Sequence, residues 1–260
     1  MRLASWRMIA RLVRSSDVVL EVVDIRDPMS TMSRRLEKIV EAFDKTLLIV
    51  LNKCDLVPRS VAEGWKSYLE GLGYKSMYVS ATSRLGTRIL RGWIKANAPT
   101  KPFTVAVVGY PKTGKSSVIN ALRGRRGAST SPVPGSYGYT RSLQLFKVEE
   151  GFYIIDTPGI IPVEGGWPEA IIRGKAPEEI PDPLPAAVAL IEKILKYNRR
   201  ALLDAYGIEE IDPYKALEAL ALKRGWRYKS TGEPLIEEAA RTVIRDYHTA
   251  KLYFYVTPPS

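Results

Sequence analysis

At 260 residues, 45% hydrophobic and 26% charged, the chain has the length and apolar content of one full α/β domain with a smaller second one, which excludes a disordered or fibrous protein. One cysteine, Cys54, and one histidine, His248, exclude a disulfide framework and a zinc cluster built from a single chain, and fit a reducing, cytoplasmic setting. The net charge of +11 is lopsided: residues 1–164 hold 25 Lys and Arg against 14 Asp and Glu, and residues 165–260 hold 14 against 14. So concentrated an excess points to a phosphate-rich partner such as RNA, with an ordinary solvated surface as the plainer alternative.

In chain order, residues 2–14 carry apolar positions at helical spacing, and the β-branched run from Asp17 to Asp24 reads as a buried strand. Arginines at Arg7, Arg11 and Arg14 interrupt the first stretch, so no signal peptide is expected, and no run reaches the roughly 20 apolar residues of a membrane span. A helix is expected from Thr31 to Phe43, a strand from Thr46 to Leu51, a helix over 59–72, a strand from Lys75 to Ser80 and a helix over 86–97. After Pro99, Lys101 and Pro102 come a strand from Phe103 to Gly109, a helix from Lys115 to Arg123, and a polar loop from Gly124 to Thr140. Strands from Leu143 to Val148 and Phe152 to Thr157 follow. Such alternation predicts a mostly parallel, six-stranded sheet covered by helices. From Gly165 prolines punctuate the chain and helical patterns continue without strands. Two domains are expected, over 1–164 and 165–260.

Three segments carry chemistry. Gly109, Tyr110, Pro111, Lys112, Thr113, Gly114, Lys115 and Ser116 fit a Gly-x-x-x-x-Gly-Lys-Ser loop between a strand and a helix. Phosphate oxygens need converging backbone N–H groups, and glycine lets the backbone approach closely. Lys115 is expected between the β- and γ-phosphates, Ser116 on Mg²⁺, and Ser117 and the helix N-terminus beside the anion. Asn52, Lys53, Cys54 and Asp55 follow a strand. A carboxylate there, Asp55, accepts from both N1–H and the N2 amine of guanine, a donor pair adenine lacks. Lys53 is expected along the purine plane, Asn52 as a tie to the phosphate loop, and the segment Ser80, Ala81 and Thr82 as the source of a backbone N–H to guanine O6. Asp156, Thr157, Pro158 and Gly159 end the last strand, with Asp156 expected to hold Mg²⁺ through water and Gly159 to sense the γ-phosphate. Thr140 in the polar loop is the favoured second Mg²⁺ ligand, and Thr130 its rival.

The guanine pair precedes the phosphate loop, so the five signatures stand in rotated order. That order resembles the circularly permuted GTPases of the YlqF/RbgA and YawG group. The resemblance extends to Asp24, Ile25, Arg26, Asp27 and Pro28, similar to the group's Asp-Ala-Arg-x-Pro segment, and to Pro134 and Gly135 before Thr140. It implies GTP and GDP with Mg²⁺ as ligands, GTP hydrolysis, association with ribosomal RNA or a ribosomal subunit, the large one foremost, and a cytoplasmic location. Zinc and membrane are not expected as partners, and a monomer is.

Two departures bear on rate. Where many GTPases place a water-orienting glutamine, this chain has Ile160, so slow intrinsic hydrolysis stimulated by a partner is expected. Phosphate loops of the group often carry an asparagine associated with potassium-stimulated turnover where Lys112 stands; its ammonium is a candidate substitute for that cation, exposure being the bland alternative. His248 near the end of the last helix reads as a surface or packing residue, with a basic face of Arg241, Arg245, His248 and Lys251 toward RNA as the alternative, and Arg123, Arg125 and Arg126 in the polar loop are better placed for RNA or for the γ-phosphate. A signalling GTPase with a protein partner, and an RNA-binding module using GTP structurally, are the rival readings.

Overall fold

The computed structural model describes residues 5–124, 144–156, 161–162, 172–173 and 175–259. They fall into two compact units, Met1–Pro162 with Thr257–Ser260, and Val163–Val256.

The first unit alternates helix and strand: α1 (Trp6–Arg14), β1 (Val18–Asp24), α2 (Arg34–Ala42), β2 (Thr46–Asn52), α3 (Arg59–Gly71), β3 (Lys75–Tyr78), α4 (Thr87–Asn97), β4 (Phe103–Val108), α5 (Lys115–Arg123), β5 (Gln144–Glu149) and β6 (Phe152–Asp156). Serine caps start the first two helices, with Ser5 accepting from the Met8 N–H at 3.2 Å and Ser33 from that of Leu36 at 3.2 Å, each satisfying a donor that has no partner within its helix. The six strands form one sheet in the order β3-β2-β1-β4-β6-β5. All neighbours are parallel except the edge pair β5–β6.

Side chains alternate across the sheet. On one face Val18, Leu20, Val22, Leu48, Val50, Val105 and Val107 pack against Leu90 and Ile94 of α4 and Val118 and Leu122 of α5. On the other, Glu21 accepts from the Ser33 N–H at 2.8 Å, so that face meets α2. Both faces being covered explains why β1 is buried at every residue and reads as an unbroken apolar run apart from Glu21. From β1 the order steps to β2 and β3 on one side, and from β4 to β6 on the other. The crevice beyond the carboxyl ends of β1 and β4 is therefore a topological switch point, where open α/β sheets bind ligands.

The second unit contains α6 (Leu184–Tyr197), α7 (Ala201–Tyr206), α8 (Pro213–Lys223) and α9 (Ile236–His248). Asp212 caps α8, accepting from the Lys215 N–H at 2.9 Å, with Pro213 at the first helical position. Leu190, Ile191 and Ile194 of α6, Leu217 and Leu220 of α8, and Ala239, Ala240, Val243 and Ile244 of α9 share one core.

Candidate functional site

The phosphate-type loop leaves β4 at the switch point. Gly109 has φ +150°, and a Cβ there would run into the Val22 carbonyl of β1; Gly114 has φ +96°, and a Cβ there would overlap the Asn52 amide. Both positions thus demand glycine, one for close approach to the next strand and one for close approach to a side chain. The Thr113 hydroxyl and the Lys115 ammonium donate to the Tyr110 carbonyl at 3.0 and 2.6 Å, closing the loop on itself. Burial lowers the Lys115 pKa from 10.5 to about 8, so the ammonium sits where an anion would relieve its lost hydration. Pro111 is buried, Lys112 is half-buried with a left-handed φ of +65°, Ser116 is exposed on the first turn of α5 and Ser117 is half-buried beside it. The open N–H groups of that first turn add partial positive charge.

Asn52 closes β2 and joins three segments. Its amide nitrogen donates to the Thr113 carbonyl at 2.9 Å and its oxygen accepts from the Ala81 N–H at 3.1 Å. The tie to the phosphate-type loop thus has a specific atom pair. Within the segment Ser80–Thr82, expected to offer a backbone N–H to guanine O6, the Ala81 N–H is engaged by Asn52. Ser80 holds the following turn, its hydroxyl accepting from the Ser83 N–H at 3.2 Å and lying 3.4 Å from that of Thr82. Lys53 turns the chain with φ +68°, and Asp55 stands exposed in the short turn Cys54–Leu56. Burial, and then the Asp55 carboxylate, push the Cys54 thiol up to about 11, leaving it protonated and unreactive.

Asp156 ends β6 on the same carboxyl edge, while its side chain and Arg125, Arg126, Thr140, Thr130, Pro134, Gly135, Thr157, Pro158, Gly159 and Ile160 lie outside the described residues. Just past them, the Ile161 N–H donates to the Gly109 carbonyl at 3.1 Å, with Ile161 fully buried. That residue is thus a packing anchor that returns the chain to the phosphate-type loop.

Sequence reasoning assigned no role of its own to the cluster at the end of β1. Asp24 is buried, with the Arg26 guanidinium on it at 2.8 and 3.1 Å and the Lys53 ammonium at 2.7 Å. Burial raises its pKa, but Arg26 and Lys53 outweigh that and hold the carboxyl far below its ordinary range. The signal available was a second acidic residue, after Glu21, at the very end of a mostly apolar strand. In the other direction, the basic residues of α9 and just beyond it find partners within their own unit. Arg241 donates to the Pro177 and Ile180 carbonyls, Arg245 pairs with Glu178 at 2.6 Å, a His248 ring nitrogen bonds the Ile172 carbonyl at 2.7 Å, and Lys251 lies 3.3 Å from Asp246. Helical spacing put these side chains on adjoining turns, and the neighbouring carbonyls and carboxylates took them.

Two close-packed glycines and a half-buried lysine, tied through one asparagine to a second loop at the switch point, form the architecture of a phosphate-loop GTPase, and residues 8–164 match the model of the RsgA GTPase family. The chain belongs to that family. Among curated proteins it is 35% identical to an uncharacterized GTP-binding protein of Methanocaldococcus jannaschii, covering 96% of this chain and 66% of that protein. It is 31% identical to Nucleolar GTP-binding protein 2 of Yarrowia lipolytica, covering 98% and 51%. The chain thus spans about two thirds of the first relative and about half of the second. Among solved structures it resembles GDP-bound YlqF, with a TM-score of 0.68, 25% identity and coverage of 96% and 97%. GNP-bound YlqF from T. maritima gives a TM-score of 0.67 at 25% identity, with coverage of 94% and 93%. Both are circularly permuted GTPases, and the present sheet shares that fold.

Proposed function

We propose that this chain binds GTP and GDP, hydrolyses GTP, and acts as a switch in ribosome assembly. The observation that carries the reading is Asn52, which bonds Thr113 of the phosphate-type loop and Ala81 of the second loop at once and so brings together segments far apart in sequence. Asp55 selects guanine, Lys53 flanks the purine, Lys115 and the N–H groups of 109–117 hold the phosphates, and Ser116, Thr140 and Asp156 hold Mg²⁺, whose role is to neutralise phosphate charge. The present residues fit such a ligand: both glycines stand where any side chain would collide, and Lys115 is held at about 8 by burial. Lys112, turned by its left-handed backbone, stands in for a monovalent cation. The apolar Ile160 leaves hydrolysis slow until a partner acts.

Ribosomal RNA or a preribosomal particle is the partner we favour, the large subunit foremost. Exposed Arg7, Arg11 and Arg14 of α1 and Arg34, Arg35 and Lys38 of α2, helices that pack on one another, supply a basic face suited to phosphates. Relatives named nucleolar support assembly of ribosomes as the setting. A cytoplasmic location is the reading for a cell without a nucleolus. No helix among the described residues is long and apolar enough to cross a membrane.

The test is GTP hydrolysis with and without purified ribosomal subunits, beside Asp55→Ala. Stimulation by the large subunit that disappears in the variant supports the reading. GTP binding without stimulation by either subunit would leave a guanine-nucleotide site and sink the ribosomal role.

A further inference from the structure

The end of β1 lies beside the guanine loop without belonging to either nucleotide motif. Asp24 and Asn52 are the last residues of neighbouring parallel strands and pair directly in register. Immediately after Asn52, the positive φ of Lys53 sends that side chain back across the strand pair, and its ammonium meets Asp24 Oδ2 at 2.7 Å. The carboxylate is itself immobilised. Arg26 grips it from its own turn through Nε at 3.1 Å, Nη2 at 2.8 Å and its backbone N–H at 3.1 Å, and the Thr31 hydroxyl accepts from the Asp24 N–H at 3.1 Å. Only 8% of the Asp24 side chain and 19% of the Lys53 side chain are exposed.

We infer that Asp24 is a positioning residue of the guanine site, anchoring the Lys53 ammonium so that the lysine stem is laid down where the purine ring stacks. The inference rests on the guanine reading of Asn52, Lys53 and Asp55. A lysine stem has four rotatable bonds, and a strongly hydrated ammonium left to itself swings to water or to the nearest phosphate. Pinned at its far end by a buried, ionised partner, the stem becomes a flat apolar support in place before nucleotide arrives, and its ordering need not be repeated at each binding event. Arg26 serves this arrangement by keeping the carboxylate charged and oriented in a dry setting. Asp24 touches no nucleotide atom; it acts through Lys53. The Asp-Ile-Arg segment is thereby part of base recognition, although it comes before every nucleotide motif in the chain.

The experiment is a double-mutant cycle read by titration with fluorescent GDP and GTP analogues, using the full chain, Asp24→Asn, Lys53→Met and the pair together. Each single variant is expected to weaken both nucleotides by about tenfold, the scale of one charge-assisted hydrogen bond. GDP and GTP should suffer equally, since the tether serves the base and not the γ-phosphate. The double variant should bind no more weakly than Lys53→Met alone, because the two residues act as one unit. Losses that add would overturn the inference, since a carboxylate supporting only the fold has no reason to couple to Lys53. Lys53→Met keeps the stem and removes the ammonium, leaves Asp24 paired with Arg26, and so decides the matter even if Asp24→Asn does not fold; unchanged affinity in it shows that the stem needs no anchor. Failure of the unaltered chain to bind guanine nucleotide would instead overturn the guanine reading and this inference with it.

Discussion

Along the carboxyl edge of its sheet the first unit buries Asp24, Arg26, Asp27, Asn52, Ser80 and Thr113, whereas the second unit closes over leucines, isoleucines and alanines, with Arg173, Thr242 and Asp246 its buried polar residues among those described. Left-handed φ values on residues other than glycine occur in both units: on Lys53 and Lys112 in the two loops of the site, on Asp44 and Arg84 elsewhere in the first unit, and on Ala250 in the second, all positions where an L-residue is unfavourable. Buried charge and strained backbone each cost stability, and they persist where the surrounding structure over-determines them. The first unit therefore spends part of its folding energy on a preorganised site, and the second is built chiefly to hold together.

The sharpest way to break this contrast is Gly114→Ala. The new methyl group meets the Asn52 amide, and φ +96° alone costs about 2 kcal/mol for alanine. Displacing Asn52 also leaves the Thr113 carbonyl and the Ala81 N–H without their partner. GDP affinity is expected to fall by at least about a hundredfold, or about 2.7 kcal/mol, measured by calorimetry; near-normal binding would show that the two loops are not coupled through this contact. Next, Leu217→Ala opens a cavity in the second unit and is expected to lower stability by about 3 kcal/mol. Its GDP affinity, measured below the unfolding transition, should stay within about twofold of the parent chain's, an order-of-magnitude allowance for independent sites. A large loss of affinity would mean that the second unit shapes the site.

The smallest effect is a pH dependence. The Lys115 pKa is lowered to about 8 in the folded chain from 10.5, so between these values the unfolded chain carries the extra proton and stability without nucleotide rises with pH. Phosphates demand the charged ammonium, so GDP binding in the same window takes up a proton and weakens by up to about tenfold per pH unit. Calorimetry at pH 9 in two buffers of different ionisation enthalpy reads this uptake directly, and its absence would remove Lys115 from the phosphate contacts.

Much of the fold was legible because both faces of the sheet are covered. Strands β1, β2 and β4 appear as apolar runs, and the glycines and prolines between elements mark where they stop. The expected strands from Thr46 to Leu51 and from Phe103 to Gly109 differ from those observed by one residue at an end. The last strand before the connector is described from Phe152 to Asp156, and the expected end at Thr157 lies outside the described residues. The four final residues, Thr257–Ser260, group with the first unit instead of the helices that precede them; Pro258 lies where a side chain at Gly64 would stand, a contact between positions too distant in sequence for any local pattern to reveal.

By itself, the sequence determined the phosphate-type and guanine-type loop patterns and their rotated order, since spacing, glycine placement and strand-to-helix context are local properties of the chain. Tertiary structure alone decided which of those groups meet each other. It turned the Ala81 N–H onto Asn52, engaged Arg241, Arg245 and His248 in bracing, and joined Asp24 to Lys53. The reason is that a donor or charge goes to whatever partner packing brings within about 3 Å, and the register of strands and the packing of helices, not sequence distance, set that partner.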